Sequence, residues 1–289
     1  MNYLSKKNIA NFFWHGSKLT IYDLACLKSF SKNGFKVIVY SFDKLKLPKK
    51  IINKNANILL NKNEHKKFIH GGKKNCLAAY ADKFRIILQS KNLGWWFDLD
   101  VMCLKKQEKF SKLEKNKKLI IGYETHNKVN NAVLKINSNI ISKNLLKKID
   151  ETGYKFEWGK IGPKLLNDYI NNYHLQREVL NKNYFYPFNF KNIDLLFNPN
   201  KTDEAIKLTN KSFTIHLYNQ IINRLGIPKN ILPPKNSYLY NMIIKTCPEF
   251  KNIETLPETT FLKLLNKKNG FKENLFDLIP SLFRALKRY

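Results

Sequence analysis

Between Ile9 and Phe42 an apolar strand, a helix and a second apolar strand follow one another, an order that few architectures accommodate. Ile9 to Trp14 reads as a buried strand that stops at Trp14-His15-Gly16-Ser17. Thr20 to Lys32 reads as the helix, closed by Gly34 before the apolar run Phe35 to Phe42. Alternation of this kind implies a parallel α/β sheet with sites at the C-terminal ends of its strands. Ile58 to Leu60 extends the pattern as a weak third strand. Asn75 to Lys91 reads as a helix with Leu77, Ala81, Phe84 and Leu88 on one stripe. Strands are expected at Gly94 to Leu99, Leu119 to Glu124, Ala132 to Ile136 and Phe213 to Tyr218, and helices near Ile140 to Asp150 and Pro163 to Asn172. Beyond Pro233-Pro234 the pattern is helical, which divides the chain into a main domain over residues 1–230 and an extension over 231–289.

The stretch Gly94-Trp95-Trp96-Phe97-Asp98-Leu99-Asp100 carries the most chemistry. In extended geometry Asp98 and Asp100 share a face while Leu99 points into the core. Apolar residues flank the pair on both sides, and carboxylates in such surroundings are costly to bury unless something binds them. Two convergent carboxylates suit a hard divalent cation, which keeps several waters and shares itself with phosphate oxygens, so a metal-bound diphosphate is the natural ligand. The plainer alternative is a solvated strand end.

Other polar residues fall at strand ends. Trp14 closes the first strand, where a flat indole could stack on a nucleobase or simply fill the core. Asp82 and Arg85 share a helix face and could form only an i, i+3 ion pair, or could read sugar hydroxyls. His216 sits between Ile215 and Leu217, as a core histidine or as an imidazole that completes a metal site. Glu124 and the pair Asn130-Asn131 could line a polar acceptor site, although Asn-Asn is equally a turn signal. Gly71-Gly72-Lys73-Lys74 lacks the Walker spacing, and there is no G-x-G-x-x-G, so kinase and dinucleotide readings have no support.

Composition narrows the partners. Lys plus Arg number 52 against 22 Asp plus Glu, a formal charge of +30 that favours acidic partners: a nucleotide-sugar, an anionic membrane or nucleic acid. Much of the excess is Lys next to Asn, and no zinc finger, helix-turn-helix or arginine-rich aromatic motif is present, so nucleic acid is set aside. The cysteines Cys26, Cys76, Cys103 and Cys247 form no C-x-x-C, which fits free thiols in a reducing cytoplasm. Lys6 and Lys7 precede an apolar run too short for a signal peptide, and no run approaches the ~20 residues needed to span a bilayer. Leu275, Phe276, Ile279, Leu282, Phe283 and Leu286, beside Arg284, Lys287 and Arg288, have the spacing of a basic amphipathic surface helix or of a helix docked on the domain.

Phe13-Trp14-His15-Gly16, Ala78 to Arg85 and Gly94 to Leu104, with weaker matches at Asn130-Asn131-Ala132, Gly162-Pro163 and Ile215 to Asn219, give the chain a known look. It resembles the glycosyltransferases with a DXD sugar-binding region, related to Och-type mannosyltransferases, globotriaosylceramide-synthase-like galactosyltransferases and bacterial capsule and lipooligosaccharide transferases. The resemblance implies a type A glycosyltransferase fold, a Rossmann-like mixed sheet flanked by helices, with the helical C-terminal piece as an extension. It implies a UDP- or GDP-linked sugar donor, Mn²⁺ or Mg²⁺ as cofactor, and retention at the anomeric carbon. Residue by residue, Asp98 would touch the ribose and the metal, Asp100 would ligate the metal, and His216 would be the third protein ligand, although the stretch after it departs from the family's usual Ser-Trp ending. Trp14, with His15 and Gly16, would lie at the nucleotide, and Asp82 and Arg85 would grip the donor sugar; Glu124, Asn130 and Asn131 stay, on the residue reading above, as an expected acceptor side. The implied acceptor is a cell-surface glycan or glycolipid, and the expected setting is the cytoplasmic face of a bacterial inner membrane. A non-catalytic basic module docking on anionic membrane or polymer is the rival expectation; its binding would be salt-sensitive and indifferent to Asp98 and Asp100.

Overall fold

A computed structural model describes residues 8–70, 74–157 and 159–270. Its strands are β1 (Ile9–Trp14), β2 (Lys36–Ser41), β3 (Ile51–Asn55), β4 (Ile69–His70), β5 (Trp95–Phe97), β6 (Val101–Cys103), β7 (Leu119–Thr125), β8 (Lys128–Ile136), β9 (Lys155–Phe156), β10 (Val179–Leu180) and β11 (Thr214–His216). Seven of them form one sheet in the order β10-β7-β8-β5-β1-β2-β3. The β5-β1-β2-β3 half is parallel, as the strand-helix-strand alternation implies, and β8 is antiparallel to both β5 and β7. The sheet is therefore mixed, flanked by helices in an α/β arrangement.

The helices that matter for the site are α1 (Ile21–Lys32), α2 (Glu64–Lys67), α3 (Leu77–Ser90), α4 (Gln107–Leu113), α5 (Asn139–Thr152) and α6 (Pro163–Asn172). A capping box starts α1: the Asp23 amide donates to the Thr20 hydroxyl, and the Thr20 amide donates to the Asp23 carboxylate at 2.8 Å. Side chains of β5 alternate between two cores. Trp95 and Phe97 join Phe12, Phe30 and Phe110 on the face covered by α1 and α4, and Trp96 joins Tyr80, Phe84, Leu145 and Leu166 on the face covered by α3, α5 and α6. Each fully buried aromatic of this kind contributes about 1.5–3 kcal/mol of burial free energy. Gly94 enters β5 at φ +113°, and a Cβ there would lie 2.7 Å from the Ile9 carbonyl oxygen, so β1 and β5 can approach only over a glycine.

Contacts divide the chain into two compact units. One comprises residues 1–189 with 208–216, and the other 190–207 with 217–289. The expected boundary lies near residue 230, whereas the second unit takes up residues from 190 onward; the segment carrying β11 stays with the first unit, as expected. In the second unit Phe197 and Phe261 stack with centroids 5.5 Å apart, Lys201 pairs with Asp194 at 2.6 Å, and Ser237 caps the helix Tyr238–Thr246. Among the described residues no helix is long and apolar enough to cross a membrane.

Three expectations need correction. Ile58 to Leu60 is not a strand: Ala56–Ile58 is a 3₁₀ turn capped by the Asn55 side chain, and the third strand is β3, just upstream, whose alternation is broken by Asn53, Lys54 and Asn55. The strand around His216 is only β11, and it pairs with β6 rather than with the main sheet. The strand from Gly94 does not continue to Leu99; after Phe97 the chain turns, with the Val101 amide donating to the Asp98 carbonyl at 3.0 Å. Lys6 and Lys7, Gly71-Gly72-Lys73, and the amphipathic stretch Leu275 to Tyr289 lie outside the described residues.

Candidate metal centre

The turn at Asp98-Leu99-Asp100 leads from β5 into β6, and β6 runs antiparallel to β11 with His216 opposite Val101. That register sets His216 beside Asp100, with Nε2 3.1 Å from Oδ1. Asp98, Asp100 and His216 each offer one ligand atom, and these atoms lie within 4.8 Å of one another. Both carboxylates converge with Leu99 buried, but a turn rather than strand alternation places them.

Asp98 is the more exposed of the two carboxylates and is braced from behind. Its Oδ1 accepts from Trp96 Nε1 at 2.8 Å and lies 3.1 Å from Arg85 Nη1. Arg85 is 5% exposed and lies on α3, where its Nη2 reaches Asp82 Oδ1 at 3.2 Å and its Nη1 donates to the Asn131 carbonyl at 2.6 Å. Its guanidinium stands 4.9 Å from the Trp96 ring centroid. Asp82 also accepts from Asn131 Nδ2 at 2.9 Å. Asp82 and Arg85 therefore form more than an exposed i, i+3 pair; they belong to a buried network that ends on Asp98. Gly162, at the start of α6, lies so close to Asp82 that a Cβ would overlap the carboxylate, with Cγ only 2.6 Å away.

β8 carries the Asn130-Asn131 pair. Its pairing with β7 shifts register between Ile120 and Gly122, and at this irregularity Asn130 turns its side chain back on the strand: Oδ1 accepts from the Ala132 amide at 2.8 Å, and Nδ2 donates to Glu124 at 3.2 Å. The Asn130-Asn131 pair is thus a strand irregularity rather than a turn. Asn131 is buried within the Asp82–Arg85 network, whereas Asn130 and Glu124 are half-buried.

Electrostatics follow from burial and neighbouring charge. Burial alone would lower the His216 pKa, but the Asp100 carboxylate, by charge and hydrogen bond, with Asp98 and Glu124, raises it above the usual value. Burial raises Asp82, partly opposed by Arg85 and Asn131.

At the end of β1, Trp14 is half-buried, its Nε1 donating to the Lys18 carbonyl at 3.1 Å, and Gly16 follows at φ +125°. His15 packs edge-on to Phe42 and lies 5.6 Å from the His65 ring of α2. Burial lowers its pKa, reinforced by His65 and Lys62 and opposed by Asp43.

Two contributors escape sequence reasoning. Trp96 has a local signal, since two residues before Asp98 in a strand is the same face. Tyr186 has none: it is fully buried, donates to the Asn130 carbonyl at 3.0 Å and accepts from the Val133 amide at 3.0 Å, so it bridges the irregular part of β8. Burial pushes its hydroxyl pKa well above the usual tyrosine value.

The donor set of two carboxylates and one imidazole, backed by hydrogen bonds to Asp98, fits a divalent ion such as Mn²⁺ or Mg²⁺. Comparison with known proteins gives two positive findings. Among solved structures 41 chains match, one of them the PaToxG Glycosyltransferase at 12% identity, covering 82% of this chain and 86% of that one, with a TM-score of 0.37. A search of curated proteins finds no match. Residues 135–253, which include β11 and His216, match the family model described as the alpha 1,4-glycosyltransferase conserved region. The match spans 119 of the 289 residues, and over them the chain is similar to that family.

Proposed function

We propose that the protein is a metal-dependent, retaining hexosyltransferase that moves a sugar from a UDP- or GDP-linked donor to a hydroxyl of a cell-surface glycan or glycolipid. The observation that carries this reading is the convergence of Asp98, Asp100 and His216 within 4.8 Å, from segments more than a hundred residues apart. Those three side chains would hold Mn²⁺ or Mg²⁺, which when bound supplies positive charge to a departing diphosphate.

The remaining roles belong to the chain's own groups. Trp14, with His15 and Gly16 at the end of β1, offers a flat surface and a tight turn for the nucleotide. Asp98 would meet the ribose, and Asp82 with Arg85, buried behind it, would serve the donor sugar. Glu124 and Asn130 form a polar wall suited to acceptor hydroxyls. The acceptor oxygen would attack from the leaving group's side, with the leaving phosphate oxygen taking its proton, so no separate base is needed. A capsule or lipooligosaccharide acceptor at the cytoplasmic face of a bacterial inner membrane suits the +30 charge, since lipid-linked acceptors gather at anionic surfaces.

The test is a panel of UDP- and GDP-sugars scored for Mn²⁺-dependent hydrolysis and transfer, alongside thermal unfolding with Mn²⁺ and the nucleoside diphosphate. Metal-dependent turnover that Asp100→Ala abolishes is the expected result. Full transfer by that variant in chelator overturns the reading.

A further inference from the structure

We propose that Trp96 is a positioning residue of the metal centre, its indole N–H acting with Arg85 to fix one oxygen of Asp98 so that the other is left for the ion. This rests on the reading of Asp98, Asp100 and His216 as a metal site.

Both donors converge on the same atom. Trp96 Nε1 and Arg85 Nη1 reach Oδ1 of Asp98 at 2.8 and 3.1 Å. A carboxylate at a turn ordinarily rotates about its terminal torsion and presents either oxygen, since that torsion is broad. Two donors on one oxygen remove that freedom, and the ion then meets a ligand already oriented. The donors are themselves immobile. Trp96 is 1% exposed, and its backbone pairs with Asn11 of β1 on one side and Leu134 of β8 on the other. Arg85 lies over its ring and is tied to Asp82 and to the Asn131 carbonyl.

The neighbouring tryptophan supplies an internal control. Trp95 is equally buried in β5, and its Nε1 donates to Glu114 at 2.8 Å, but its side chain belongs to the other core. Trp95→Phe and Trp96→Phe therefore each delete one indole hydrogen bond from the same strand, and only the second touches Asp98.

The experiment measures Mn²⁺ affinity of the full chain by calorimetry without nucleotide, and unfolding of the same proteins in chelator. Trp96→Phe should weaken Mn²⁺ binding on the order of 10–100-fold, the usual effect of losing a hydrogen bond to a ligating group. Trp95→Phe should bind within about twofold of wild type, the contact to a ligand being intact, while both variants lose similar stability in chelator. Unchanged affinity in Trp96→Phe overturns the proposal, as does an equal loss in Trp95→Phe, which would mark general loosening of β5. A second arm uses wild type alone, so it needs no variant to fold. Mn²⁺ should broaden the Trp96 indole N–H resonance at lower concentration than that of Trp95, and equal broadening counts against the proposal. A wild-type protein that binds no Mn²⁺ removes the metal reading itself, a result distinct from a wild type that binds and a Trp96→Phe variant that binds as well.

Discussion

His216 Nε2 and Asp100 Oδ1 stand 3.1 Å apart although 116 residues separate them in the chain. The β6–β11 pairing brings them together, since His216 lies opposite Val101, the residue after Asp100. His216→Ala should therefore keep the fold while losing the metal response. At a Mn²⁺ concentration near 100 times the wild-type dissociation constant, the ion should stabilise wild type by about 2.7 kcal/mol and the variant by far less. Thermal unfolding with and without Mn²⁺ reads the difference, and equal stabilisation would remove the imidazole from the ligand set.

Arg85 is the cation that two carboxylates share, Asp82 and Asp98, and it is nearly inaccessible. Its replacement by Met leaves Asp82 buried without a counter-charge, a loss of about 3–5 kcal/mol. Lys147, whose contact with Glu151 is 3.8 Å and exposed on both sides, is the comparison: Lys147→Ala should change stability by less than about 0.5 kcal/mol. Urea unfolding of the two variants tests the contrast.

Gly162 is required by proximity rather than by backbone angle, because a methyl group there would overlap the Asp82 carboxylate. Gly162→Ala should displace Asp82 and cost about 1–3 kcal/mol, the range for overpacking. Gly153, whose Cβ direction is open but whose φ is +72°, should lose stability on substitution through strain alone. Only Gly162→Ala should also impair the proposed sugar transfer, which a paired measurement of stability and activity would resolve.

His15 has a pKa held below the ordinary value of 6.5. The unfolded chain therefore binds this proton more readily than the folded one. The stability is fully present above pH 6.5 and is lost as pH falls through 6.5 toward the depressed folded value. His15→Gln should flatten that part of a pH series of unfolding curves; an unchanged slope between neutral and mildly acidic pH would contradict the assignment.

Much of the sheet was legible because its strands are apolar runs separated by recognisable helices, as at β1, α1 and β2. The paired carboxylates were legible for the same reason: an aromatic strand led into them. The pairing of β11 with β6 was not, since short antiparallel partners so far apart leave no local trace. Asp82 and Arg85 show the same limit. Their spacing reads as an ordinary helix pair, and only the arrival of β8, Gly162 and Asp98 makes them a buried network. Tyr186 is silent in sequence because its partners are backbone groups, which every residue has.

The β6–β11 ladder also orders events during synthesis. A growing chain displays its acidic turn long before the ribosome has made Thr214–His216, so an unfinished protein carries two of the three side chains that converge here. Until that short ribbon closes, the two carboxylates stand without the imidazole that faces them.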